Sequence, residues 1–316
     1  MSIDVDALYE GFCRTLPVPE GQVARALAKR LGLAPIADVS WNDVFSHAVT
    51  LKAPALVAEA LPHGEPELVR LAVLGHMLAV LEAFGTDRIE DRQVAADVTL
   101  NRLLSAMRRA RDAALAGLIG KESAASAGAQ ADQESRQAIV RERELLTSGE
   151  PVSFETYRAV SLGKQSVGFP ASLALAARAG WDASKRRLLG ETLAGVWLGL
   201  QFEDDVLDWE KDWSVGGAWA VTLAHDLRRG EKRDTRPDLL KRYVLGSGVL
   251  ERMLKASRDQ FETAATGALE LGCQTLGQWA LQRQARLEKL IVHESQSAGY
   301  TNRLSQLGPW AAEVLS

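Results

Sequence analysis

The sequence predicts an all-α protein, and three observations indicate this fold class. Apolar residues recur near the 3.6-residue period of a helix, as in Leu71, Leu74, Leu78 and Leu81. The alternating segments and Asn-Gly or Asp-Gly turns that are typical of β-hairpins are absent from the sequence. Only ten prolines interrupt the 316 residues, and Ala and Leu, which favour helices, are abundant. The chain is therefore predicted to be a succession of helices.

Pro-containing breaks separate the predicted helices, because proline lacks a backbone donor and disfavours continuation of a helix. The breaks lie near residues 17–19, 35, 62–66, 151 and 237. The predicted helices are about 3–15, 20–31, 41–61, 66–86, 88–116, 132–147, 153–179, 183–212, 217–228, 236–245, 248–271 and 274–298.

One segment, residues 117–135, is rich in Gly, Ala, Ser and Gln. This composition predicts either a flexible loop or a weak helix. No shift in composition marks a domain boundary elsewhere, so we expect one domain over residues 1–316.

Composition disfavours several classes of function. Apolar residues make up 47% of the chain and charged residues 25%, as in a normal globular protein. The net charge of −4 offers no basic surface for nucleic acid, so no nucleic-acid partner is expected. The two cysteines, Cys13 and Cys273, are too few for a disulfide framework and fit a reducing cytoplasm.

The sequence shows neither a signal peptide nor an evident transmembrane segment. Its first residues lack the positive start and apolar core of a signal peptide. Arg70, His76 and Glu82 interrupt the longest apolar candidate, residues 69–85, which falls short of the roughly 18 residues of a membrane span. We therefore predict a soluble, cytoplasmic protein.

The strongest functional signal is a row of aspartates in LGLQFEDDVLDWEKDW, residues 198–213. Asp204, Asp208 and Asp212 are spaced by four residues, so on one helix they share a face. Like charges at this spacing repel and cost stability unless a cation lies between them. Mg²⁺ prefers carboxylate oxygens and often binds substrate phosphates as well. The row therefore indicates a cradle for Mg²⁺ and a diphosphate. The alternative is a solvated acidic face, which the apolar stretch directly before the acids disfavours.

A second acidic pair strengthens this interpretation. Asp87 and Asp91 are also four residues apart and follow the apolar segment VRLAVLGHMLAVLEAFG. The pair alone is a weak signal, but two helices that are each apolar upstream and acidic at the end rarely arise by chance. If the two helices face each other, their carboxylates can hold several Mg²⁺ ions between them.

These motifs resemble those of the trans-isoprenyl diphosphate synthase and class I terpene synthase superfamily, over roughly residues 45–230. That superfamily carries two aspartate-rich motifs that face each other across an all-helical cavity. Asp204, Asp205 and Asp208 match its second motif, D-D-x-x-D, and Asp212 matches an extra acid that often follows. The family's second motif is typically preceded by a Phe-Gln pair; here Gln201 keeps its place three positions before the first aspartate, but the Phe has moved to position 202. The resemblance implies a single helical bundle of the isoprenoid synthase type around a central cavity.

Two lysines extend the resemblance. Residues 161–166, SLGKQS, are similar to the family's Lys-Thr segment, whose lysine contacts the diphosphate. Lys164 is therefore the best candidate for a phosphate ligand, and the alternative is a surface lysine. Lys52 begins a segment similar to the one that follows the family's Gly-Gly-Lys-Arg motif.

The departures from the family bear on the second substrate. The first motif is Asp87-Arg88-Ile89-Glu90-Asp91, which keeps both outer acids but has Arg88 at the middle position. The Arg-Arg-Gly that usually follows is missing, and Lys52 alone represents the Gly-Gly-Lys-Arg segment that holds isopentenyl diphosphate. We therefore expect the allylic diphosphate site to be retained and the homoallylic site to be eroded, with little chain elongation.

The resemblance also implies roles for individual residues in the ionisation of an allylic diphosphate. Asp87, Asp91, Asp204 and Asp208 would hold several Mg²⁺ ions, with Lys164 neutralising the leaving group. Asp205 and Asp212 would either bind metal or orient its ligands, and Gln201 would help by hydrogen bonding. Aromatic side chains near the motifs would stabilise a carbocation by cation–π attraction. The alternative for each of them is ordinary packing in the hydrophobic core. These aromatic residues are Phe84, Phe169, Trp197, Phe202 and Trp209.

Three functions fit this interpretation. The first is a terpene synthase, in which the cation cyclises or is quenched, and the eroded homoallylic site favours it. The second is a prenyltransferase or polyprenyl diphosphate synthase, which joins the cation to isopentenyl diphosphate or another acceptor. The third is a non-catalytic regulatory homologue, which the acids kept in both motifs disfavour. The superfamily often forms dimers, so a homodimer is also expected as a possible assembly.

Overall fold

The structure is a computed structural model that describes residues 3–45, 47–62, 65–90, 92–227 and 236–306. Within these ranges it contains sixteen α-helices, two short 3₁₀ helices and no strand. The structure is 83% helical, so the predicted all-α fold class is confirmed.

The α-helices follow one another along the chain with short connections. In order they are α1 (Val5–Arg14), α2 (Val18–Arg25), α3 (Leu27–Arg30), α4 (Trp41–Val44), α5 (Ala48–Val57), α6 (Pro66–Glu90), α7 (Val98–Ile119), α8 (Lys121–Ser148), α9 (Phe154–Lys164), α10 (Pro170–Arg178), α11 (Ala183–Leu207), α12 (Trp209–Val215), α13 (Trp219–Leu227), α14 (Pro237–Ser247), α15 (Val249–Leu271) and α16 (Gln274–Gln306). The 3₁₀ helices are Ala58–Ala60 and Ser166–Gly168.

The predicted boundary between helices 66–86 and 88–116 is wrong. Helix α6 continues through the first motif to Glu90, and Arg92 then adopts a left-handed φ of 59°. Helix α7 begins only after Asp97, whose side chain accepts a hydrogen bond from the backbone N–H of Leu100 at 2.8 Å. This N-cap satisfies a backbone donor that no residue within the helix can satisfy. The cap, rather than the apolar pattern, therefore sets the start of α7.

The predicted helix 153–179 is interrupted at Lys164. Helix α9 ends there, and α10 begins at Pro170 after a short 3₁₀ turn. A proline has no backbone N–H to donate to a preceding turn, so it fits the first turn of a new helix and not the interior of a continued one. The break leaves Lys164 at the C-terminal end of α9.

Residues 117–135 are helical apart from Gly120, which has a φ of +81° between α7 and α8. Of the two alternatives for this segment, the structure has the helix, since α8 runs from Lys121 to Ser148. Alanines along α8 provide the propensity, and the small polar residues on it do not break the helix.

The described residues form two compact units. The first is drawn from Met1–Arg136, Gln165–Gly190 and Ala268–Leu276. Its central pair of helices is α6 and α7, which approach closely because glycines lie between them. A Cβ added at Gly85 would lie 2.6 Å from the Leu104 side chain, and one at Gly75 would lie 3.2 Å from Ala114. This close contact anchors the end of α6, which carries the first motif.

The second unit is drawn from Gln137–Lys164, Glu191–Gly267 and Gly277–Ser316. Within it α11 packs tightly on α15, since a Cβ added at Gly199 would lie 2.8 Å from the Phe261 ring. The Ser257 hydroxyl donates to the Gly199 carbonyl at 2.6 Å across the same contact. The helix that carries the second motif is therefore anchored just upstream of its acids.

One helix, α6, is long and apolar enough to cross a membrane by length and composition. The sequence prediction counted no such candidate, because charged residues interrupt the run. About two-thirds (67%) of its most apolar window is buried inside the protein, as in the core helix of a soluble protein. It is therefore weak evidence for a membrane span.

Candidate active site

The aspartate row, defined as Asp204, Asp208 and Asp212, lies at the junction of α11 and α12. The predicted helix 183–212 is interrupted here, because α11 ends at Leu207 and α12 begins at Trp209. The backbone spacing is nevertheless kept across the junction. The N–H of Asp208 donates to the Asp204 carbonyl at 2.9 Å, and that of Asp212 donates to the Asp208 carbonyl at 3.0 Å. The three acids therefore keep their four-residue spacing.

Two acids of the row, Asp204 and Asp212, have raised pKa values. Surrounding protein atoms and then the charge of Asp208 raise the pKa of Asp204, even though its side chain reaches solvent. Burial, followed by the charges of Asp204 and Asp208, raises the pKa of Asp212 to about 6. Lys164 and Lys211 act in the opposite direction on both groups. The repulsion expected from the sequence is therefore present and only partly offset.

Asp205 is in a different environment from the aspartate row. It is buried, and its two carboxyl oxygens accept hydrogen bonds from the Tyr157 hydroxyl at 2.6 Å and the Gln201 amide at 2.9 Å. Burial raises the pKa of Asp205 to about 7, while the Tyr157 hydrogen bond and Lys164 lower it. Both oxygens already have protein donors, which suits a group that orients its neighbours.

Lys164 lies in an ion pair that the sequence did not indicate. Its ammonium Nζ is 2.5 Å from Glu142 Oε2, and both side chains are largely buried. The other oxygen of Glu142 accepts a hydrogen bond from the Trp219 indole at 2.8 Å. Sequence reasoning missed Glu142, Tyr157 and Trp219, because no local spacing connects residues so far apart in the chain.

A second buried ion pair stands directly beside the aspartate row. Glu203 on α11 pairs with Arg283 on α16, and both side chains are at most 10% exposed. Glu203 Oε1 and Arg283 Nε have no hydrogen-bond partner among the described protein atoms. The pair joins α16 to the helix turn from which Asp204 projects.

The first motif lies at the C-terminal end of α6. Asp87 is half-buried in the last turn of this helix, and Asp91 lies outside the described residues. Arg88 passes close to the loop after α3, since a Cβ added at Gly32 would lie 3.6 Å from its guanidinium. Earlier on α6, before Asp87, the buried Glu82 pairs with Arg108 and accepts a hydrogen bond from the Thr86 hydroxyl. The odd glutamate in this apolar helix is thus neutralised inside the protein.

The remaining candidate residues occupy varied environments. Lys52 is half-buried on α5, and Phe169 is half-buried just before α10. Phe84 is 37% exposed, with its ring centroid 5.4 Å from that of Phe45. The other aromatic candidates, Trp197, Phe202 and Trp209, are buried.

Phe202 packs as a core residue in this structure. Its ring centroid lies 4.8 Å from that of Tyr157 and 5.6 Å from that of Phe154. Its fully buried ring supports the position of Tyr157, which in turn holds Asp205.

The acids fit divalent cations by donor chemistry and charge. Carboxylate oxygens are the ligands that Mg²⁺ and Ca²⁺ prefer. Burial, and then repulsion from neighbouring aspartates, raises the pKa values of Asp204 and Asp212, and a bound cation would offset that repulsion. Among the described residues, no three His, Cys, Asp or Glu side chains already form a cluster that could hold a metal ion. The fit therefore rests on donor type and charge and not on a preformed cage.

The solved structures that are similar to this chain include three prenyl synthases. A polyprenyl synthetase from Streptomyces coelicolor matches with a TM-score of 0.64 and 14% identity, over 91% of this chain and 96% of that one. A polyprenyl synthase from Caulobacter crescentus, complexed with calcium and isoprenyl diphosphate, matches with a TM-score of 0.56 and 17% identity, over 86% and 97%. The apo form of an Arabidopsis medium/long-chain length prenyl pyrophosphate synthase matches with a TM-score of 0.55 and 18% identity, over 87% and 99%.

These matches define the class of fold. The chain has a trans-isoprenyl diphosphate synthase-like fold, as its sequence motifs predicted. No family model matches the sequence, and a search of curated proteins gives no match. At the identities found, the likeness shows the fold and not the reaction.

Proposed function

We propose that this chain is a prenyltransferase that ionises an allylic isoprenyl diphosphate and transfers the isoprenyl group to isopentenyl diphosphate or another acceptor. The observation that carries this proposal is the aspartate row with Lys164 beside it, on a fold shared with polyprenyl synthases. One of those synthases is complexed with calcium and isoprenyl diphosphate, which are the kinds of ligand that these residues suit.

The acids and Lys164 have separate tasks in the proposed reaction. Asp204, Asp208 and Asp212 would hold divalent cations, expected to be several Mg²⁺ ions. Asp87 and Asp91 of the first motif stay predicted metal ligands. A divalent cation, when bound, supplies positive charge that stabilises the departing diphosphate. Lys164 donates charge-assisted hydrogen bonds to the phosphate oxygens.

Asp205 and its partners support the acids in this scheme. Tyr157 and Gln201 hold the Asp205 carboxyl group in one orientation, so that the end of α11 keeps a fixed geometry. Trp197, Phe84 and Phe169 remain candidates for the walls that face the isoprenyl chain. Cytoplasmic localisation and a homodimeric assembly also stay predictions.

A terpene synthase is the second candidate, and a specific observation favours it. Lys52 alone represents the basic segment that the resemblance ties to isopentenyl diphosphate, and Arg88 interrupts the first motif. A diphosphate carries several negative charges, so an acidic site with few cations would bind a second one weakly. In that case the carbocation cyclises or is quenched without an acceptor.

Incubation with geranyl or farnesyl diphosphate and Mg²⁺, with and without isopentenyl diphosphate, separates the candidates. A prenyltransferase releases diphosphate and forms a longer product only with an acceptor present. A terpene synthase releases a hydrocarbon or alcohol from the allylic diphosphate alone. No release of diphosphate from any allylic substrate, with a folded protein, would leave the non-catalytic homologue as the interpretation.

A further inference from the structure

We infer that Arg283 is a positioning residue for the second motif, because through Glu203 it fixes the rotation of the last turn of α11 and so the direction of Asp204. This inference rests on the proposed function, in which Asp204 holds a divalent cation. Arg283 lies 80 residues beyond Glu203 in the chain and outside every motif of the sequence.

Two contacts on one face of α11 hold this part of the helix. Gly199 and Glu203 are four residues apart, so they share a helix face. A Cβ added at Gly199 would lie 2.8 Å from the Phe261 ring of α15, and the Ser257 hydroxyl donates to the Gly199 carbonyl at 2.6 Å. Glu203 pairs with Arg283 of α16, whose guanidinium carbon lies 5.9 Å from the centroid of the same Phe261 ring. The phenyl ring therefore lies beside both contacts.

The contact at Glu203 is the nearer of the two to the end of α11, which stops at Leu207. Successive residues are turned by about 100° around a helix, so a Glu203 side chain held against α16 directs Asp204 to another face. Glu203 Oε1 has no hydrogen-bond partner among the described protein atoms. In that part of the chain, no second donor would therefore hold this carboxylate in place if Arg283 were lost.

Asp204 thus stands between two neighbours that are each held by a distant side chain. Arg283 holds Glu203, and the Tyr157 hydroxyl donates to Asp205 at 2.6 Å. Two anchors on different faces of the turn fix its rotation, whereas one anchor leaves the turn able to pivot about that contact. Loss of Arg283 should therefore move Asp204 even though Tyr157 remains.

A small rotation is enough to disturb a metal ligand. Side-chain ends lie about 5–6 Å from the helix axis, so a turn of about 10° moves a carboxylate oxygen by about 1 Å. Mg²⁺ binds oxygen at about 2.0–2.1 Å and tolerates little departure from octahedral geometry. Loss of a residue that orients a metal ligand typically weakens metal binding by about 10–100-fold.

The test measures both Mn²⁺ binding and stability in the full chain. Mn²⁺ binding is followed without substrate by the resonance signal of free Mn²⁺, and stability by denaturant unfolding. We expect Arg283→Met to bind Mn²⁺ about tenfold more weakly. Charge alone predicts the opposite, because the negative charge of Glu203 is left without a partner next to Asp204. Arg283→Lys keeps a cation for Glu203 and should recover part of the lost affinity.

A double variant separates positioning from stability. Glu203→Gln combined with Arg283→Met removes one charge of each sign, so the net charge beside Asp204 is unchanged and most of the stability should return. Mn²⁺ binding should stay about tenfold weaker, because the anchor is still missing. If binding returns together with stability, the ion pair has a structural role alone and the inference is wrong. Binding in Arg283→Met that is unchanged or tighter also overturns it.

The matched control is Arg111→Met. Arg111 is a buried arginine on α7 that pairs with Asp112 and Asp132, outside both motifs. Its loss should lower stability and leave Mn²⁺ binding unchanged. Equally weakened binding in this variant would show that destabilisation by itself weakens Mn²⁺ binding, and would remove the case for a specific role of Arg283.

Asp204→Ala in the same titration separates this inference from the proposed function. If Asp204→Ala binds Mn²⁺ like the unmodified chain, the second motif does not hold the metal and both fail. Both also fail if the unmodified chain binds no Mn²⁺, even with inorganic pyrophosphate present. If Asp204→Ala weakens binding while Arg283→Met does not, the inference about Arg283 fails alone.

Discussion

The ends of helices α6 and α11 are built alike but differ in charge. Each has a glycine that lets a neighbouring helix come close, Gly85 in α6 and Gly199 in α11. Each also has a buried glutamate paired with an arginine, Glu82 in α6 and Glu203 in α11. Asp87 in α6 and Asp204 in α11 both lie in the last turn, where the helix dipole disfavours negative charge.

The difference lies in what offsets the aspartates. In α11, burial and mutual repulsion raise the pKa values of Asp204 and Asp212, and the lysines nearby offset this only in part. In α6, a cation of the chain itself, Arg88, stands within the first motif. We therefore expect the second motif, whose acids are only partly offset, to depend more strongly on added cations than the first motif, which has a basic residue between its acids.

The largest expected effect follows from this asymmetry. Asp204→Ala should lower the rate of diphosphate release about 1,000-fold, and Asp87→Ala about 100-fold, because both remove charge that the transition state uses. Rates at saturating Mg²⁺ measure the difference. Glu210→Gln is the control, since Glu210 is 58% exposed and pairs with Lys241. Equal losses at both aspartates would remove the asymmetry, and a normal rate in both variants would place the metals elsewhere.

The buried ion pairs offer the next comparison, in stability. Arg283→Met leaves Glu203 buried and uncompensated, which should cost about 3–5 kcal/mol of unfolding free energy. Arg108→Met should cost about 1 kcal/mol, because the Arg108 side chain is 40% exposed and water can solvate part of the vacated space. Denaturant unfolding of the two variants gives both numbers. Glu203→Gln added to Arg283→Met should recover most of the loss, and an unrecovered loss would assign it to packing.

In the first unit, a buried histidine makes stability depend on pH. His76 on α6 is buried, its Nε2 donates to the Thr50 carbonyl at 2.9 Å, and burial lowers its pKa to about 4. In the unfolded chain His76 therefore becomes protonated near pH 6.5, whereas in the folded chain it becomes protonated only near pH 4. The contribution of His76 to stability should therefore fall as pH drops through this window, by about 3 kcal/mol.

Unfolding curves at several pH values test this effect, because they give the slope of unfolding free energy against pH. His76→Gln removes the titrating group, so its stability should fall less steeply than that of the unmodified chain between pH 6.5 and 4. Parallel slopes for the two proteins would show that His76 does not change its protonation state on unfolding.

The smallest effects concern the cations beside each motif. Arg88→Ala should lower the Mg²⁺ concentration for half-maximal diphosphate release about twofold, because a competing charge is gone. Lys211→Ala should act in the same direction at the second motif, where Lys211 Nζ lies 3.3 Å from Asp208. A higher Mg²⁺ requirement in either variant would show that the side chain assists the site.

Several features of the fold and site were predictable because they depend on neighbouring residues. The helical period, the proline breaks and the four-residue spacing of the aspartates are local, and the structure keeps them. The start of α7 at Val98 and the end of α11 at Leu207 were not predicted, since a cap and a change in backbone geometry compete with the apolar pattern. The predicted roles of the aspartates and Lys164 stay predictions.

The sequence by itself determined the all-α class and placed the acids in two rows, because helix geometry converts spacing directly into position. Only the tertiary structure decided what those acids contact. Tyr157 reaches Asp205 across 48 residues of chain, Trp219 reaches Glu142 across 77, and Arg283 reaches Glu203 across 80. Such contacts depend on how whole helices pack, and side-chain periodicity within one helix carries no information about which distant partner lies opposite.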